Sequence, residues 1–118
     1  MLLIIEPTGQ RATRTEAEGR AAYAAMQRFG EAIAAKGQLK AVESLAGLDS
    51  AVRLSPVNGE VRLLDGPFTE AKEMIGGFFL LQNVTREEAV AWAQACPAAQ
   101  WCTVEVRALA PCFDDSHA

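Results

Sequence analysis

Histidine and cysteine are scarce in this chain. The single histidine, His117, stands in the terminal stretch "DDSHA", and the three cysteines, Cys96, Cys102 and Cys112, form no CxxC pair. An odd, scattered set of this kind supports neither a disulfide framework nor a zinc site, so the cysteines read as reduced thiols and no metal or cofactor is expected. Basic charge is also short, with eleven Lys and Arg against fifteen Asp and Glu. A net charge of −4 leaves no positive field for a phosphate backbone, which argues against nucleic acid as a direct partner.

Long apolar runs are missing too. None approaches the roughly 20 residues of a membrane-spanning helix. The opening "MLLIIEP" has no basic segment and reaches Glu6 and Pro7 too soon for a secretory leader, so a cytoplasmic location and no membrane contact are expected. Low-complexity stretches are absent, half of the 118 residues are apolar, and 22% are charged. These features describe one folded domain, placed at residues 1–110, with 111–118 as a frayed tail.

The pattern along the chain alternates strands and helices. "LLII" reads as a strand buried on both faces. In "TEAE", Thr15 and Glu18 form a capping box, and Ala22, Met26, Phe29 and Ile33 follow at helical spacing until Gly37. Residues 39–45 favour a strand, and Asn58-Gly59 divides 51–64 into a hairpin. "GGFFLLQNV", 76–84, reads as a central strand, "TREE" at 85–88 as a second capping box, and 102–109 as a last alternating strand. The order is a split βαβ arrangement with an added hairpin, an α+β ferredoxin-like domain with two helices on one face of a mainly antiparallel sheet. The other face then needs solvent, a ligand or a second subunit. Glu105, Arg107 and Glu43 are expected there as polar walls of a cleft, with a solvated ion-paired surface as the alternative.

"DGPFTEAKE", 65–73, forces a turn. Gly66 can take backbone angles closed to other residues, Pro67 fixes φ, Asp65 can bond backbone N–H groups nearby, and Phe68 offers an apolar anchor. A helical turn from Glu70 would bring Glu73 near it and put Lys72 on another side. This motif, followed by "GGFFLL", the helix "EEAVAWAQACPAA" and the terminal "VEVR", resembles the DGPF branch of the YCII-related family over nearly the whole chain. The resemblance implies a dimeric ferredoxin-like domain, from a family often genomically associated with extracytoplasmic-function sigma factors. Some relatives carry a His/Asp pair proposed as catalytic. Here the only histidine is in the tail, which leaves Asp65 as the acidic residue of the motif.

Two functions follow. In one, Asp65 is a general acid or base and Lys72, Glu73, Glu43, Glu105 and Arg107 orient a small polar molecule. In the other, the domain is a non-catalytic regulatory or interaction module whose open sheet face pairs with a twin or a partner protein.

Overall fold

The computed structural model describes residues 1–113, so His117 and most of the expected tail lie outside the described residues. The wholly apolar start of the chain becomes strand β1, Leu2–Pro7. Helix α1, Glu16–Ala35, begins at the expected capping box: Glu18 N–H donates to Thr15 Oγ1 at 3.1 Å, and Thr15 N–H donates to the Glu18 carboxylate at 2.8 Å. These bonds hold the Glu18 carboxyl below its ordinary range. The helix ends in a Schellman motif. Gly37, at φ +70°, donates to the Ala34 carbonyl, and Gln38 donates to that of Ile33.

Strand β2 is Leu39–Ser44, followed by a hairpin of β3, Val52–Val57, and β4, Glu60–Asp65. Asn58 and Gly59 both take positive φ at its tip, as a two-residue type I′ turn demands. Strand β5 is Glu73–Leu81, helix α2 is Arg86–Ala95 with its own capping box at Thr85, and β6 is Thr103–Val106. β5 thus starts three residues earlier than the sequence suggests, and β6 stops at Val106. The helical turn expected from Glu70 to Glu73 does not form. Ala71 N–H closes one turn on the Phe68 carbonyl, and Thr8 N–H then bonds the Lys72 carbonyl at 3.0 Å, drawing the chain into extended pairing with β1.

The main sheet runs β2-β5-β1-β6, with every neighbour antiparallel, and the β3–β4 hairpin forms a separate two-stranded sheet. This is the ferredoxin-like order with the hairpin inserted between the second and third sheet strands. Leu2, Ile4, Phe79 and Leu81 face the helices and are buried with Phe29 and Ile33 of α1 and Ala89 of α2. Phe29 meets Phe79 edge-on at 5.2 Å and Trp92 at 5.9 Å, and the Trp92 indole donates to Gln38 at 2.9 Å. Aromatic pairs in this geometry add to the stabilisation from burial alone.

The hairpin is an arm. The described chain has a radius of gyration of 16.3 Å, against about 13.5 Å for a compact domain of this length. Its extents of 48 × 43 × 19 Å are those of a thin plate, one sheet and one helix layer deep.

Candidate functional site

The DGPF segment is the corner that fixes the arm to the body. Gly66 N–H bonds the Ala51 carbonyl at 2.8 Å, and a Cβ at Gly66 would overlap the backbone carbonyl of Leu48, so glycine is required by close approach. The Gly66-Pro67 peptide is cis. Phe68 is buried, with the Arg53 guanidinium 3.8 Å above its ring centroid. Asp65 pairs with Val52 at the end of the hairpin and is exposed.

The charged residues singled out from sequence do not converge. Glu43 pairs with Phe78, Phe78 with Leu3, and Leu3 with Glu105, so the two glutamates share one row of the open face at opposite edges of the sheet. Three strand spacings separate them, about 14 Å. Between them the open face is apolar: Leu3, Ile5, Phe78 and Leu80 are half-buried and Ile75 is exposed. Arg107 reaches Glu105 at 3.4 Å with both side chains in solvent, a weak pair. Lys72 and Glu73 are exposed beside a hollow of about 360 Å³ that Glu73, Arg53, Ile5 and Ile75 line at the arm's base. Asp65 and Lys72 do not line it.

A larger space lies on the other side of the sheet. Between α1 and the β2–β5 edge is a cleft of about 1050 Å³. β1 and β5 contribute Ile4, Glu6, Gly76 and Phe79 to its wall, α1 contributes Gly19, Tyr23 and Met26, and Arg14 and Trp101 come from flanking turns. Glu6 is the one buried charged side chain among the described residues. Arg11 holds it, with Nε 2.6 Å from Oε1 and a second N–H near Oε2 at 3.3 Å. The same guanidinium donates to the Leu45 carbonyl at 2.8 Å and the Gly76 carbonyl at 3.3 Å. One ion pair therefore ties β1, the end of β2 and β5 together at the cleft.

The glycine pair of β5 is explained here. Register slips between Ile4 and Ile5, which face Gly77 and Ile75, so Gly76 is the extra residue of a β-bulge. A Cβ on Gly76 would run into the Glu6 carboxylate and lie 3.0 Å from Arg11. On Gly77 it would come within 2.8 Å of the Glu43 carbonyl. Sequence reasoning missed the Glu6–Arg11 pair, although a signal existed. Leu2, Ile4 and Glu6 alternate onto one face, and an acid that continues an apolar stripe needs a cation nearby.

The cysteines are free. Cys102 is half-buried near the cleft, and burial, with the neighbouring Glu6 charge, pushes its thiol up to about 11. It is a protonated thiol at neutral pH, without the thiolate character of a nucleophile. Burial likewise raises Cys96.

A four-stranded antiparallel sheet with two helices on one face and an inserted hairpin defines a ferredoxin-like α+β domain. The YCII-related domain matches residues 1–112, and the chain belongs to that family. It is similar to an uncharacterised protein of Rhizobium meliloti (strain 1021), 36% identical over 58 residues, which cover 49% of this chain and 47% of that protein. The match thus spans about half the length of that relative. Among the described residues no helix is long and apolar enough to cross a membrane.

The glycines supply a test of the clamp. Gly76→Ala should lower unfolding stability by about 1–3 kcal/mol, because Glu6 is pinned by Arg11 and cannot yield to the added methyl. Gly19, inside α1 with open space around its Cβ position, should respond oppositely, Gly19→Ala gaining up to about 1 kcal/mol. Urea unfolding of both variants checks the contrast.

Proposed function

We propose that this protein binds a small molecule in the cleft between α1 and the sheet, and that it does so as a homodimer. The observation that carries the reading is the cleft itself, walled by apolar side chains and by the buried Glu6 carboxylate with its half-buried partner Arg11. Concave, mainly apolar sites with a few fixed polar groups are where small ligands bind, whereas Asp65 and Lys72 are exposed and outside both hollows. The DGPF corner acts through the arm that it anchors. Its charged residues Glu70, Lys72 and Glu73 provide solubility at the arm's base, and Glu73 and Arg53 border the smaller hollow.

Self-association is supported by two uncovered apolar surfaces. One is the open sheet face. The other is one side of the arm, where Val52, Leu54, Val61 and Leu63 are between 52% and 72% exposed. A two-stranded hairpin is marginally stable in water without support for an apolar face. A two-fold axis would cover both surfaces at once, since each chain offers an arm and a sheet face. Membership of the DGPF branch is part of this proposal and rests on "DGPFTEAKE" followed by "GGFFLL". An extracytoplasmic-function sigma factor, implied by that resemblance, would have to compete for these same surfaces, and a cytoplasmic location accompanies the proposal.

Two measurements test the proposal. In a thermal-shift screen of metabolite-sized compounds, those that stabilise the wild type should lose their effect on Gly19→Trp, which fills the cleft; equal stabilisation of both would contradict the cleft as the site. In sedimentation at micromolar concentration the wild type should be a dimer and the Leu54→Glu, Leu63→Glu variant a monomer. A monomeric wild type would sink the dimer.

A further inference from the structure

Gly19 is anomalous for its position. It lies inside the first turns of α1, takes no positive φ, and, apart from its own helix backbone and chain neighbours, no heavy atom of the described residues lies within 4 Å of its would-be Cβ. Neither backbone strain nor packing within the chain calls for glycine there, yet glycine costs a helix interior about 1 kcal/mol relative to alanine. Its bare backbone lines the cleft, opposite the sheet. The missing side chain leaves room for something outside the chain.

Two of the three arginines that line that space are committed. Arg11 is held by Glu6 and two carbonyls, and Arg20 by Glu16 at 2.8 Å. Arg14 differs: among the described residues no carboxylate lies within ion-pair distance of it. Its guanidinium sits 5.7 Å from the Trp101 ring centroid and makes one long bond, 3.4 Å, to the Gln10 side-chain oxygen. Gln10 is itself fixed by donating to the Trp101 carbonyl at 2.6 Å. Arg14 is therefore a positioned cation with spare donors in a cleft that also presents Tyr23, Met26 and Phe79.

From this arrangement, and resting on the reading of the cleft as a ligand site, we propose that the ligand is a small monocarboxylate carrying a flat ring. Its carboxylate engages Arg14, and its ring lies over the Gly19 backbone beside Tyr23 and Met26. A single free guanidinium matches one negative charge. Glu16 and Glu31 also border the cleft, and they would repel a polyphosphate or dicarboxylate.

Benzoate and benzylamine, the same ring with opposite charge, are the probes, titrated into the full-length chain and followed by 15N NMR. Benzoate should shift the Gly19 and Gly76 amides and the Trp101 indole, benzylamine should not, and Arg14→Gln should weaken benzoate about tenfold. Arg14→Lys, which keeps the charge, should weaken it less and guards against loss of fold. If benzylamine binds the cleft as well as benzoate does, or if Arg14→Gln binds benzoate like the wild type, the ligand class is overturned while the cleft stands. If neither probe shifts the cleft resonances, this inference fails, and the cleft reading stands or falls separately on the thermal-shift comparison with Gly19→Trp.

Discussion

Much of the structure depends on one interaction, the Glu6–Arg11 pair at the end of β1. Burying a carboxylate is costly unless it is paired and hydrogen-bonded, and Arg11 meets both conditions with one planar group. The same guanidinium takes two carbonyls, from Leu45 and Gly76, that belong to different parts of the sheet edge. The bulge at Gly76 and the absence of a side chain there follow from the space that this pair occupies. The turn carrying Arg11 also leads directly to Arg14 and the Thr15 cap, so the clamp sets where α1 starts and how its face meets the sheet.

The molecule divides into a well-packed layer and surfaces that the described residues leave uncovered. Phe29, Phe79 and Trp92 knit the two helices to β5, while the opposite sheet face and the arm have no such cover. The DGPF corner connects these parts. Gly66 fits closely against the backbone of the turn before β3, and Phe68 is capped by Arg53 from the arm. The motif is thus a mechanical joint. Its effect on function passes through where it aims the hairpin.

The fold was largely legible in the sequence because its signals are local. Thr15 with Glu18, Thr85 with Glu88, Gly37, and Asn58 with Gly59 each act within four residues, and each appears where expected. The site was less legible because it is assembled by register. Glu43 and Glu105 have the alternation expected of the open face, but strand order sends them to opposite edges. Glu73 was expected on a helical turn, and pairing of its neighbour Lys72 with Thr8 made that segment extended. Gly76 is needed because of a close approach whose cause, Glu6, lies 70 positions away and is visible only once β1 and β5 are paired.

The clamp is tested most directly by a double-mutant cycle between Glu6→Gln and Arg11→Met, read by urea unfolding of the two single variants and the double. A coupling of about 1.5 kcal/mol or more is expected, with Arg11→Met the costlier single change because it strands a buried carboxylate. Losses that add to within about 0.5 kcal/mol would show that the two residues act independently, contradicting the account.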